Sequence, residues 1–332
     1  MPIRFGMLGM WHSHANGIVR EIAAHRQEFR LVGCYEAEAD VAADRSRRWG
    51  ELLPEVHVFD TPEELLRQEL DAVIVEGRVH DNLRYARMAL ESGRPVMLEK
   101  PAGTDQREFE EIIDLCQRKH LHCQMIYLFR YMSAVQEMLR LARKGELGDV
   151  YFFRARLPKD LHDYDRFVDE LKLYPGGIFF EMAGHVIDMM VAILGKPKEV
   201  TPLLGHHHRD KPGDFVDNGI AAFQFDHAWG IIEAPILEVA PHSRRIEVFG
   251  TEGACVIPHL GSGHLPNKNI QPIEVYRQGD DGWKTIELPA KTLHISDLRE
   301  FIAVVSGLKA PDYEFEHDLN VQEALLRASR MI

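Results

Sequence analysis

The chain has 332 residues, more than one ordinary core accommodates, so two domains are expected. A hydrophobic share of 45% and a charged share of 27% are those of an ordinary globular chain. The net charge of −13 argues against nucleic acid or an anionic membrane as partner, because both need a basic face.

No apolar run approaches the ~20 residues that span a bilayer. The start, Met1-Pro-Ile-Arg-Phe-Gly-Met-Leu-Gly9, is strand-like and lacks the basic, apolar and small-residue regions of a signal peptide. Cys34, Cys116, Cys123 and Cys255 form no Cys-x-x-Cys pair. A chain this long folds without disulfides, so a reducing cytoplasm is the expected compartment.

In the first half, strands and helices alternate. Ile3–Leu8 reads as a strand, and 15–29 carries Ile18, Val19, Ile22 and Ala23 at helical spacing. Leu31–Tyr35 is a second strand ending at Glu36, and 37–49 a helix. His57–Phe59 is a third strand. Thr61-Pro62-Glu63-Glu64 combines an N-cap, a proline at N1 and first-turn acids, so it opens a helix. Asp71–Val75 is a continuous apolar run, as in a strand buried on both faces. A helix over 83–92 closes at Gly93. Val96–Leu98 is the fifth strand and stops at Glu99-Lys100-Pro101, since proline cannot continue a central strand. A helix over 109–120 and a strand over 122–127 complete a doubly wound parallel sheet.

Such a sheet usually carries a dinucleotide at the C-terminal ends of its strands. Its fingerprint is strand, glycine-rich turn, helix, then an acid at the end of the second strand. Glu36 holds that last place and favours NAD over NADP, because a carboxylate there repels an extra phosphate. In the turn, Gly9 aligns with the first glycine, while Trp11 and His14 stand where the second and third would be. His12 and His14 leave two uses open, contact with phosphate or ligation of a metal. Histidines at i, i+2 in a loop are usually not a metal site, and no metal is assigned. Glu99 and Lys100 sit at a strand tip, where a lysine can act as acid or base.

In the second half, a helix over 135–144 is closed by Gly145-Glu-Leu-Gly148, and Val150–Leu157 is an alternating strand. Residues 159–174 read as a loop or short helix over a site. Pro175-Gly176-Gly177 is a turn into a largely apolar helix over 179–194. Glu181, His185 and Asp188 share one face of it, and such groups are costly in an apolar helix unless paired or used. From Glu199 onward the chain is strand-rich, with a hairpin turn at Asp280-Asp-Gly282 and helices over 293–306 and 319–331. His206-His207-His208 reads as a solvated loop. The fold expected is α/β. It pairs an N-terminal Rossmann domain (1–125) with a C-terminal α+β domain (126–332) built on an open, mostly antiparallel sheet.

Four passages resemble the glucose–fructose oxidoreductase and inositol dehydrogenase family, Gfo/Idh/MocA, over roughly residues 3–330. They are Asp71-Ala-Val-Ile-Val75 running on to Ala89-Leu-Glu-Ser-Gly-Arg-Pro-Val-Met-Leu-Glu-Lys-Pro101; Gly145-Glu-Leu-Gly-Asp-Val150; Gly176-Gly177 with His185 and Asp188; and Leu298-Arg-Glu-Phe-Ile302 with Gly307. The resemblance implies NAD(P)-dependent hydride transfer at a carbinol carbon of a sugar, polyol or related compound. It places Lys100 beside the nicotinamide and makes His185 the general acid or base, with Glu181 where the family more often has Asp. Gly9, Met10, Trp11, His12, Glu36, Glu76, Glu99 and Lys100 are the implied cofactor residues. Asn82 stands where many members have His, and Glu76-Gly77-Arg78 replaces a small Thr-Pro-Asn segment. Arg130, Tyr131, Lys159, His162 and Tyr164 are candidate binders of substrate hydroxyl or carboxylate groups. A metal-assisted lyase or isomerase using Glu181, His185 and His162, and a ligand-binding regulator on the same fold, are the alternatives. The strand-rich half has too few helices to cover its sheet, so a homodimer or homotetramer is expected.

Overall fold

The computed structural model describes residues 1–161, 167–209, 215–261 and 268–332. They form two compact units, Met1–Ile126 with His294–Phe315, and Tyr127–Leu293 with Glu316–Ile332.

The first unit is a six-stranded parallel sheet. Its elements in order are β1 (Ile3–Leu8), α1 (His14–Ala24), β2 (Phe29–Tyr35), α2 (Ala39–Gly50), β3 (His57–Val58), α3 (Pro62–Leu66), β4 (Ala72–Val75), α4 (Val79–Glu91), β5 (Val96–Glu99), α5 (Gln106–Lys119) and β6 (Cys123–Ile126). The strand order is β3-β2-β1-β4-β5-β6. The chain reverses direction across the sheet at β1 and β4, which opens a crevice at their C-terminal ends. β4 is fully buried, as its unbroken apolar run requires. Thr61 caps α3 by accepting the Glu64 amide at 3.2 Å. α5 starts three residues before the expected 109 because Asp105 accepts the amides of Arg107 at 2.8 Å and Glu108 at 3.2 Å.

The segment 294–315, expected in the second domain, packs with this first unit. Its helix α9 (Leu293–Val305) buries Leu298 and Phe301, and the Phe301 ring lies 6.2 Å from that of Phe5 in β1. The Gln124 side-chain amide donates to the Asp297 carbonyl at 3.1 Å.

The second unit holds an eight-stranded sheet in the order β14-β13-β12-β11-β7-β10-β9-β8. The strands are β7 (Val150–Arg156), β8 (Glu199–Gly205), β9 (Asn218–Gln224), β10 (Trp229–Glu233), β11 (Arg245–Gly250), β12 (Gly253–Ile257), β13 (Ile270–Arg277) and β14 (Lys284–Pro289). All neighbours are antiparallel except β7 and β10, which are parallel. Helices α6 (Ser133–Arg143) and α8 (Gly177–Leu194) pack on the sheet. The short helix α7 (Val168–Leu171) precedes α8, and α10 (Phe315–Ala328) closes the unit.

Period-two alternation sends Phe153, Ala155, Ile232, Phe223 and Val248 inward, all with no exposed surface. The opposite face carries a grid of charges. Arg154 and Arg156 reach Glu233 at 3.0 and 2.8 Å, and Arg245 reaches Glu247 at 2.7 Å. Trp229, Ile220 and Leu203 are exposed beside the grid. α8 is apolar enough over its 18 residues to resemble a membrane span, but 78% of it is buried, as in a core helix.

Candidate functional site

In the first unit, the C-terminal ends of β1, β4 and β5 converge. Gly9 leaves β1 with φ +82°, and a Cβ there would lie 2.4 Å from the Gly77 Cα. Only glycine allows the turn to approach the end of β4 this closely. The two ends are joined by backbone bonds. Glu76 donates its amide to Leu8 at 2.9 Å, and His12 donates to the Glu76 carbonyl at 3.0 Å.

Glu36 stands at the end of β2, as the fingerprint requires. Its carboxylate accepts the Met10 amide at 2.6 Å and the Glu38 amide at 3.1 Å. Burial raises its pKa against the pull of those amides. Each oxygen keeps a lone pair for further donors. Trp11 holds the second-glycine position with its ring under the Arg78 guanidinium, 4.6 Å from the ring centre. Arg78 also donates to Glu38 at 2.9 Å.

Arg45, from the second turn of α2, grips the turn from below. It is 5% exposed and donates to the Met10 carbonyl at 2.9 Å, the Trp11 carbonyl at 3.1 Å and Asn16 Oδ1 at 3.1 Å. Arg45 does not stand out in the sequence. One arginine among several on a polar helix carries no local signal of inward orientation.

Around the turn lies a buried polar cluster. His12, Glu76, Glu99 and Lys100 are each at most 4% exposed. His14 Nδ1 lies 3.0 Å from Glu99 Oε2, and Lys100 Nζ lies 3.8 Å from Glu99 Oε1. Burial, reinforced by the Glu99 charge, pushes the Glu76 carboxyl up to about 8. His294, at the start of α9, packs against Gly17 and the His14 ring. Burial and the neighbouring His12 lower it to about 4, so it is neutral at physiological pH. Asn82 is also fully buried, and neither polar atom of its side chain has a hydrogen-bond partner among the described residues.

The residues fit a dinucleotide. The positive-φ glycine, the close approach at Gly77 and the carboxylate at the end of β2 are present, and the Arg78 guanidinium covers the Trp11 ring.

In the second unit, Gly177 opens α8 with φ +48°, and a Cβ would meet the Val216 carbonyl oxygen at 2.4 Å. Glu181 is half-buried. One turn on, His185 is 3% exposed, between Phe129 and Tyr127 with ring centres 5.0 and 6.2 Å away. Asp188 does not serve the same purpose. Arg130 donates to it through Nε at 3.0 Å and Nη2 at 2.8 Å, and also bonds Asp318. His317 Nε2 lies 2.8 Å from Asp188 Oδ1. Burial alone would raise the Asp188 carboxyl, but Arg130 and His317 outweigh it and hold it below its usual value.

Arg130, expected to bind substrate, is therefore an internal residue. A buried guanidinium needs paired carboxylates, and it has two. Tyr131 is 8% exposed and also internal. Lys159 is half-buried, with its backbone bonded to Pro235 and Glu238 at 2.9 and 3.1 Å. His162 and Tyr164 lie outside the described residues. His317 was missed, although His317-Asp318 at a helix start is visible in the sequence. The His206–His208 loop is organised by Asp217, which accepts the amides of His207 at 2.8 Å and His208 at 2.9 Å.

Residues 3–127 match the oxidoreductase family with an NAD-binding Rossmann fold, and residues 135–256 match the GFO/IDH/MocA C-terminal domain. A scyllo-inositol 2-dehydrogenase (NAD(+)) of Bacillus subtilis is 27% identical over 214 residues. That match takes in 62% of this chain and 60% of the relative, so it spans less than two thirds of that protein. A myo-inositol 2-dehydrogenase of Thermotoga maritima is 24% identical over 306 residues, 89% of this chain and 87% of the relative. The fold of a UDP-N-acetylglucosamine 3-dehydrogenase from Acidithiobacillus ferrooxidans superposes with a TM-score of 0.81 at 18% identity, over 100% of this chain and 98% of that one. The chain belongs to the Gfo/Idh/MocA family of oxidoreductases and carries that family's NAD-binding Rossmann domain.

Proposed function

We propose that this chain is an NAD(H)-dependent dehydrogenase acting on a CH–OH group of a sugar, polyol or related hydroxy compound, with Lys100 and His185 in proton transfer. The observation that carries the reading is the buried Glu99–Lys100 pair at the tip of β5, in a chain of an NAD-binding oxidoreductase family. The names of the two inositol dehydrogenase relatives support a small polyol as the substrate class.

When bound, the nicotinamide supplies the hydride acceptor or donor. The chain supplies position and protons. Glu36 accepts ribose hydroxyls through its remaining lone pairs and repels a 2′-phosphate, which favours NAD over NADP. Lys100 donates a hydrogen bond to the reacting oxygen and stabilises its developing charge. His185 takes the hydroxyl proton in oxidation and returns it in reduction. Glu181, one turn before it on α8, orients the imidazole or bonds a second substrate hydroxyl.

The reading is tested by titrating the protein with NADH and following the cofactor's fluorescence, then screening a polyol and sugar panel for NAD reduction. Saturable binding below millimolar concentration is expected, and its absence would overturn the reading.

The exposed face of the eight-stranded sheet is proposed as the surface for a second copy of the chain. Its arginines and glutamates alternate, so the face complements its own two-fold image. A reducing, cytoplasmic compartment is proposed from four cysteines that are all free and buried.

A further inference from the structure

We propose that His12, His14, Glu76 and Glu99 form a binding site for one divalent transition-metal ion of the zinc type beneath the β1–α1 turn. The site shares His12, Glu76 and Glu99 with the dehydrogenase reading, but its evidence is the geometry of the first unit alone.

The ligand atoms of His12, His14 and Glu99 all lie within 4.8 Å of one another. Their spacings resemble the edges of a coordination polyhedron. His12 Nδ1 is 3.4 Å from Glu99 Oε1 and 3.6 Å from Glu76 Oε2, and His14 Nδ1 is 3.0 Å from Glu99 Oε2. Two ligands bound tetrahedrally at zinc distances are separated by about 3.3–3.5 Å. The two His12 separations are too long for good hydrogen bonds.

Glu76 supplies an independent observation. It has no exposed surface, and neither carboxylate oxygen has a hydrogen-bond partner among the described residues. A buried carboxylate without a donor is costly, so such groups mark a missing partner. The His14 amide donates to His12 Nδ1 at 3.3 Å, which leaves that nitrogen without its own proton and in the ligating form. His12 Nδ1, the Glu76 carboxyl and the Glu99 carboxylate, which has His14 Nδ1 at 3.0 Å, then face one another, and a bound cation displaces the Glu76 and His14 protons. A cation resolves this arrangement, taking the place of the long amide contact. Two imidazole nitrogens with two carboxylates suit zinc, cobalt or iron rather than calcium or magnesium, which prefer oxygen alone. The ion would tie the turn to the ends of β4 and β5, where this chain has Trp11 and His14 in place of glycines.

The test uses untagged full-length protein, stripped with a chelator and titrated with cobalt(II). The expected result is one tight equivalent with the intense visible bands of four-coordinate cobalt, displaced by zinc. His14→Ala and Glu76→Gln should each weaken it by roughly tenfold or more. The His207→Ala/His208→Ala variant, in the separate histidine loop, should retain it. Because a site variant can fail to fold, anomalous diffraction at the zinc edge from wild-type crystals gives a second readout, with a peak expected between His12, His14 and Glu99. No tight equivalent, six-coordinate spectra lost with the His207/His208 variant, or a peak only elsewhere would overturn the proposal. NADH titration of the stripped protein separates the two readings, since saturable NADH binding without metal binding sinks this one alone.

Discussion

Glu36 accepts the backbone amide of Met10 at 2.6 Å, so the carboxylate proposed to read the ribose also fixes the first residue after Gly9. Glu36→Ala is expected to lose both functions. NADH affinity should fall about 10–100-fold, the value of one or two hydrogen bonds to a charged group. NADPH affinity should fall less, because the repelling charge is gone. Parallel fluorescence titrations of the two cofactors check this, and an unchanged NADH curve would refute the assignment.

Lys100 is expected to act on turnover rather than on cofactor binding. With a polyol that the wild type oxidises, Lys100→Met should lower kcat by about 10²–10⁴-fold. Its NADH dissociation constant should stay within about threefold, since the ammonium is assigned to the reacting oxygen. A loss confined to NADH affinity would remove Lys100 from the chemistry.

Arg130→Met should destabilise the fold by about 3–5 kcal/mol, because it strands Asp188 and Asp318 inside the second unit. Adding Asp188→Leu should recover part of that loss, since an apolar pair replaces an orphaned charge. Urea midpoints of the single and double variants measure both effects.

His294 gives a pH dependence of known sign. Its folded pKa of about 4 lies below the unfolded value near 6.5, so the unfolded chain binds the proton first. Its contribution is complete above pH ~6.5 and is lost as pH falls towards ~4, by about 3 kcal/mol at most. Urea unfolding across this window should show a flatter pH profile for His294→Leu than for the wild type.

The exposed sheet face predicts a change of assembly. Trp229→Asp together with Ile220→Asp should yield monomers in light scattering, while the wild type elutes as a dimer or tetramer. A wild type that is monomeric at micromolar concentration would exclude the shared face.

The alternation of strands and helices was readable because each β-strand of the first unit is a short apolar run bounded by turn residues. Gly9, Glu36 and Glu99-Lys100 were readable for the same reason, since their positions follow from where strands end. Arg130 was misread because exposure of a charged side chain is the safer expectation, and its burial depends on Asp188 and Asp318, far away in the chain. Arg45 and His294 were invisible for a related reason. Each acts on the β1–α1 turn from an element that adjoins it only after folding.

Arg45 makes the shape of that turn a property of two successive strand–helix units. Its hydrogen bonds to the Met10 and Trp11 carbonyls bridge 35 and 34 positions of sequence. Grafting residues 3–24 onto another Rossmann scaffold would therefore transfer the letters of the turn without its conformation. The smallest portable piece runs through the second helix, and within it positions 9–12, 36 and 45 must be exchanged as one set.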